Sequence, residues 1–236
     1  MRYLYFINMR SILIILFFML AIVSAKSYAQ KWQPGRFTDV KGNVESGFIN
    51  ANPSGRGPIK NEGFIEFKED NKAEPYKLSA SDLRSFVVGK DSFVVAHPPG
   101  NESWAKNEFD FVKVALDDDI KIYVTKNGSR GGGSGIGFEP GIGAGVGTSG
   151  YGGGVGGGIS IPIGGGGGGG SHEKTIWYYG DSTAGMKRLT DLNFEDVMTD
   201  IMGDYPDVVN KINNKVYVLA NIEKLIAYYK QVKAGK

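Results

Sequence analysis

The chain has 236 residues, 41% of them hydrophobic, with 27 lysines and arginines against 25 acidic residues. It has no cysteine, which excludes disulfides, thiol catalysis, cysteine-ligated zinc and a lipid carried on a cysteine. The charge balance and the lack of a basic block argue against a nucleic-acid partner, whose affinity depends on clustered lysine and arginine.

The N-terminus has the three parts of a secretory signal peptide, predicted over residues 1–29. Arg2 and Arg10 supply the positive charge, Ile12 to Val23 an uninterrupted apolar run, and Ser27-Tyr28-Ala29 places small residues at the −3 and −1 positions of a cut before Gln30. Translation from Met9 would open a more compact signal than translation from Met1. The apolar run is short of the ~20 residues that span a bilayer, so a cleaved leader is favoured over a retained anchor and the mature chain is expected not to be transmembrane. The chain after the cut holds all 25 acidic residues and 24 of the basic ones, and is near neutral.

From Arg36 to Lys41 and from Val44 to Ile49, strand-like runs flank Gly42-Asn43, a two-residue hairpin signal. Gly63 to Lys68 reads as a short strand and Ser81-Asp82-Leu83-Arg84 as one helical turn. Phe86–Val88 and Phe93–His97 flank Gly89-Lys90-Asp91, a further hairpin. Phe109 to Leu116 and Ile120 to Thr125 alternate apolar and polar residues around Asp117-Asp118-Asp119, where a tight turn belongs.

Between Gly128 and Ser171, 24 of 44 residues are glycine and only Arg130 and Glu139 are charged. Glycine brings no side chain to bury and loses the most entropy on ordering. The segment 128–173 is therefore predicted to be a flexible insertion, although Ile136, Phe138, Ile142, Val146 and the later isoleucines leave room for weak strands or self-association. Thr175 to Tyr179 is again strand-like, which makes the tract an enlarged loop between neighbouring strands.

The period then changes. Phe194, Val197, Met198, Ile201, Met202 and Tyr205 form one apolar helical face, with Asn193 as its expected cap and Gly203 weakening its end. Pro206 opens a short second helix carrying Val208, Val209 and Ile212. A last helix carries Ile222, Leu225, Ile226, Tyr229 and Val232. Strands over about 35–127 and 174–190, followed by helices over 191–236, predict an α+β fold in a single domain, 30–236, with helices on one face of an antiparallel sheet.

Little chemistry stands out. His97 and His172 lack a metal-ligand partner at short helical or strand spacing, apart from Glu173 beside His172, and read as structural or solvated. The aspartate triplet lacks the loop length, glycine and distal glutamate of an EF-hand, and turn chemistry accounts for it better than calcium does. Gly145-Val-Gly147-Thr-Ser-Gly150 fits a dinucleotide fingerprint, yet no helix follows and the tract generates such matches by chance. The Gly-x-x-x-Gly spacings lack the apolar span that membrane helices need. No phosphate-binding loop with lysine and no Gly-x-Ser-x-Gly nucleophile turn occurs. Trp32, Trp104, Trp177 and the pairs Tyr178-Tyr179 and Tyr228-Tyr229 are read as core in preference to a binding surface. No catalytic, cofactor or metal residues are assigned, and no cofactor is expected.

The stretch Gly35…Lys41-Gly42-Asn43…Gly47-Phe48-Ile49 resembles the opening of a group of uncharacterised exported proteins from Bacteroidetes. The likeness continues at Ser81-Asp82-Leu83-Arg84-Ser85-Phe86, at Phe109-Asp-Phe-Val-Lys-Val, at Asn193-Phe194 and from Asp204-Tyr-Pro-Asp through Tyr229. The resemblance implies an address, the periplasm, cell surface or exterior of a Gram-negative bacterium, and no activity. With that address, Asp181-Ser182-Thr183 resembles an O-glycosylation acceptor, with Ser182 as the modified residue. The expectation is an exported, non-catalytic binding or structural module whose partner is an unknown envelope protein or glycan. The alternatives are an exported carbohydrate hydrolase with dispersed carboxylates, and a membrane-associated or self-assembling protein acting through the glycine tract.

Overall fold

A computed structural model describes residues 32–104, 107–127 and 174–235; the expected leader 1–29, the glycine tract 128–173 and His172 lie outside them. The first strands are β1 (Gln33–Asp39), β2 (Val44–Asn50), β3 (Phe64–Lys68), β4 (Tyr76–Ser79) and β5 (Leu83–Val88). They are followed by β6 (Asp91–Ala96), β7 (Asp110–Leu116), β8 (Lys121–Asn127), β9 (Lys174–Gly180) and β10 (Lys187–Leu189). Three helices close the chain: α1 (Phe194–Ile201), α2 (Pro206–Asn213) and α3 (Ile222–Ala234). This is the expected α+β class, with a mostly antiparallel sheet and C-terminal helices.

The strands form one sheet in the order β10-β9-β8-β7-β6-β5-β1-β2-β3-β4. β4 and β5 are four positions apart in that order, yet only a 3-10 turn, Ala80–Asp82, joins them. In a flat sheet four positions are about 19 Å, while the chain from Ser79 to Leu83 reaches at most about 14 Å. The first four strands must therefore curl back toward β5 as a small barrel. The ring of Phe37 on β1 meets Phe67 on β3 edge to face at 4.9 Å, directly over the intervening strand. Gly47 on β2 makes this possible, because a methyl group there would collide with the Phe67 ring and the Lys68 carbonyl.

From β5 to β10 each strand pairs with its sequence neighbour. One face of this run, with the barrel interior, belongs to a continuous core that also includes Met198 and Met202 from α1 and its end, Val208 and Ile212 from α2, and Leu225, Ile226 and Tyr229 from α3. Phe86 stacks on Phe93 at 4.8 Å and meets Phe111 edge to face at 5.0 Å. The opposite face carries a smaller cluster of Val112, Tyr123, Ile176 and Tyr178, closed by Trp104 and Met186 from loops. Trp104, Trp177, Tyr178 and Tyr229 are thus core, as expected, while Trp32 and Tyr228 are half-buried. β8 and β9 pair without interruption from Lys121↔Gly180 to Asn127↔Lys174, so the tract between them does join neighbouring strands. Among the described residues no helix is long and apolar enough to cross a membrane.

Three local expectations change. The first hairpin turns over Val40–Asn43, not over Gly42-Asn43 alone, because Asp39 Oδ1 accepts the backbone N–H groups of both Lys41 and Asn43 at 2.8 Å. The helical turn lies at Ala80–Asp82, and Leu83 and Arg84 already belong to β5. Asn193 does not cap α1 with its side chain. Its Oδ1 accepts the Thr190 N–H at 2.7 Å and its Nδ2 donates to the Arg188 carbonyl at 3.0 Å, tying the preceding loop instead.

Candidate binding cleft

The β7–β8 turn, the α1–α2 corner and α3 enclose a cleft of about 710 Å³. Asp117, Asp118 and Asp119 come from the turn, Asp200 and Asp204 from the corner, and Lys121, Tyr205, Tyr229 and Lys233 complete the polar lining. Each wall has a local cause. The turn forms where the alternation of β7 gives way to three aspartates, which favour turn conformations. The corner forms because Gly203 weakens the helix, Tyr205 N–H returns to the Met202 carbonyl at 3.0 Å, and Pro206 starts α2 with its fixed φ at the first helical position.

Asp118 joins the walls. Its Oδ2 accepts the Tyr229 hydroxyl at 2.9 Å and its Oδ1 accepts Lys233 Nζ. Burial, and then the Asp118 carboxylate that the hydroxyl faces, push the Tyr229 phenol above its ordinary pKa. The hydrogen bond to Asp118 holds the Lys233 ammonium above the usual lysine value. Tyr205 meets Tyr229 edge to face at 5.1 Å, fixing the corner against α3. Asp117 pairs with Lys121 across the same turn. Five carboxylates thus face two ammonium groups in one cleft, a lining suited to a partner rich in hydroxyl or cationic donors.

Behind the cleft, β7 carries a bulge between Val114 and Leu116, and the Ala115 carbonyl accepts Lys230 Nζ at 2.8 Å. Lys113 is buried there and paired with Asp91 at 2.7 Å. Desolvation, and next the Lys113 charge, lower the Lys230 pKa below the lysine norm. Desolvation raises that of Glu223, the neighbouring carboxyl on α3, against a smaller opposing effect of Lys113.

On the other face of the sheet, the Tyr178 hydroxyl donates to Glu102 Oε2 at 2.5 Å and accepts Trp104 Nε1–H at 2.9 Å, while Glu102 Oε1 lies 3.5 Å from Arg188. His97 is exposed at the end of β6 with its ring against Phe109, and lines a separate shallow pocket with Glu102, Asn107 and Glu108. Ser182 is exposed in the β9–β10 loop and its Oγ donates to Asp181 at 3.2 Å; Thr183 is anchored on the Val95 carbonyl. Among the described residues no group of three His, Cys, Asp or Glu side chains converges on a metal position.

The structure places the aspartate triplet in a turn, as expected, and adds Asp200, Asp204, Tyr205 and Lys233, which sequence reasoning did not select. The i, i+4 spacing of Asp200 and Asp204 and the i, i+3 spacing of Lys230 and Lys233 were the available signals, each common on solvated helix faces. No protein-family model matches the chain, and neither a curated protein nor a solved structure matches it.

Proposed function

We propose that the protein is an exported, non-catalytic module that binds a polar partner, an envelope protein or a glycan, in the cleft between the β7–β8 turn and the α1–α2 corner. The observation that carries this reading is that Asp117–Asp119, Asp200 and Asp204 together line one open cleft of about 710 Å³. A surface of this kind offers many acceptors to hydroxyl or ammonium donors. The test is binding to a glycan array, with site-specific crosslinking in the native cell, for the wild-type chain and for Asp119→Asn/Asp204→Asn. The partner is lost in the double variant; a partner retained at full strength by that variant removes the cleft from the function.

A second reading, an exported carbohydrate hydrolase, draws on the same carboxylates and requires two of them to stand about 5–10 Å apart, as glycoside hydrolysis does. It requires turnover of aryl glycosides or polysaccharides that falls in both Asp119→Asn and Asp204→Asn. Ser182 is a proposed O-glycosylation acceptor, supported by its exposed position. An intact mass of the native protein equal to that of the bare chain excludes the modification.

A further inference from the structure

Beside the acidic cleft, and sharing Asp117, Asp118, Tyr229 and Lys233 with it, lies a second pocket of about 310 Å³. Lys90 from the β5–β6 turn, Ser92 from β6 and Lys230 and Lys233 from α3 supply its donors. The carboxylates around it are already engaged. Asp118 accepts from Tyr229 and Lys233 through its two oxygens, Asp117 pairs with Lys121, and Asp91 pairs with the buried Lys113 behind. Among the described residues no carboxylate is hydrogen-bonded to Lys90 or to Lys230, whose ammonium is aimed by its bond to the Ala115 carbonyl and keeps further N–H donors for another group.

We propose that this pocket is an anion site, in which Lys90, Ser92 and Lys230 receive the oxyanion (a carboxylate, phosphate or sulfate) of the partner whose donor groups occupy the acidic cleft. The inference rests on that reading of the cleft and narrows it to partners carrying donors and an anion side by side. Lysines from the β5–β6 turn and from α3 and the hydroxyl of Ser92 line one pocket and suit such a group, because charge-assisted hydrogen bonds are the strong ones. Asp118 then divides the two subsites, its Tyr229 and Lys233 bonds separating the acidic lining from the basic one. Desolvation, and next the charge of Lys113, lower the Lys230 pKa against the opposing effects of Asp118 and Asp91, and an incoming anion would favour the charged ammonium further.

The probes are inorganic phosphate, glucuronate and neutral glucose, each titrated into the full chain and followed by calorimetry and by amide chemical shifts around Ser92 and Lys230. Both anions bind and glucose leaves these signals unmoved. A charged-donor contact is worth enough that its loss weakens binding about tenfold or more, so Lys90→Gln and Lys230→Gln each show that loss, Lys230→Arg retains binding, and Lys224→Gln on the exposed side of α3 changes nothing. Binding weakens with salt and with rising pH, at a lower pH than an ordinary lysine would give. Tighter binding of glucuronate than of phosphate marks a saccharide-borne anion; the reverse marks a phosphate group. No response to either anion, or a response that survives Lys90→Gln/Lys230→Gln, overturns the site. Lys90 lies on an exposed turn, so its variant reports even where Lys230→Gln unfolds. Anion binding that persists in Asp119→Asn/Asp204→Asn while partner capture also persists leaves this site standing and removes the acidic cleft alone.

Discussion

Gly63 and Asp110 touch where the curled first strands meet the long run of the sheet: the Asp110 carboxyl stands against the position that a Cβ at residue 63 would occupy. Around them the Gly63 N–H donates to the Phe109 carbonyl at 2.8 Å and the Glu108 N–H to the Asn61 carbonyl at 2.8 Å, so a short stretch of backbone stitches the barrel to β7. Gly63→Ala is expected to displace that carboxyl and to cost about 1–3 kcal/mol, as overpacking of a tight site does. Urea denaturation measures it, and an unchanged midpoint would show that Asp110 yields without cost.

Burial lifts the Asp110 carboxyl to a pKa of about 6 from 3.8, against the lowering effect of bonds from Asn107 Nδ2 and the Phe111 N–H. A folded-state pKa raised above the unfolded one favours the protonated form. The stabilisation is therefore fully present below about pH 4 and is lost as the pH rises through about 6. The two donors bond different oxygens, so Asp110→Asn keeps an acceptor for only one of them and loses about 1 kcal/mol at every pH. Having no carboxyl to ionise, it is nonetheless expected to gain about 2 kcal/mol relative to wild type between pH 4 and pH 7. Parallel melting curves across that range would sink the assignment.

Tyr178 is fully buried and its hydroxyl both donates to Glu102 and accepts from Trp104. Tyr178→Phe leaves the indole N–H of buried Trp104 without its partner, which costs about 1–3 kcal/mol. Chemical denaturation followed by tryptophan fluorescence reads the loss. A double-mutant cycle with Glu102→Gln separates the tyrosine–glutamate share from the tyrosine–tryptophan share.

Ser79 behaves in the opposite way. Its Oγ is buried with no hydrogen-bond partner among the described residues, so the hydroxyl carries a desolvation cost and returns nothing. Ser79→Ala is expected to leave stability unchanged or to raise it by about 1 kcal/mol. A clear fall in the denaturation midpoint would mean that the hydroxyl is satisfied in solution.

The elements that announce themselves in the sequence are those whose burial follows a simple period. Phe111 on β7, Trp177 on β9 and the Met198–Met202 pair could be assigned to faces from spacing alone, and they lie in the core; Leu116, five residues after Phe111, joins the same core only because of the bulge between Val114 and Leu116. β4 could not, because Tyr76 and Lys77 are exposed and only Ser79 is fully buried, leaving no alternation to detect. The curl of the first strands was equally hidden. It depends on contacts through Gly47, and a glycine pattern does not say which ring will lie over it. Asn193 looked like a cap because its residue type and place fit one, but Thr190 and Arg188 offered its amide better-placed partners. The cleft needed tertiary structure. Nothing local links the triplet at 117–119 to Asp200 and Asp204, and the lysines of α3 acquire their meaning only from the bulge at Ala115.

Asn127 and Lys174 are register partners on adjacent strands. Asn127 and Lys174, which flank residues 128–173 in sequence, are therefore held a single strand spacing apart by seven paired positions of β8 and β9. Such a pair acts as a permissive port. Closing a longer or shorter connection across it changes the entropy only logarithmically, about 0.6 kcal/mol for each doubling of length. A two-residue turn, an epitope or a whole reporter domain exchanged at that point is expected to leave the order of the ten-stranded sheet intact, which makes the β8–β9 junction the place to graft a display cargo onto this scaffold.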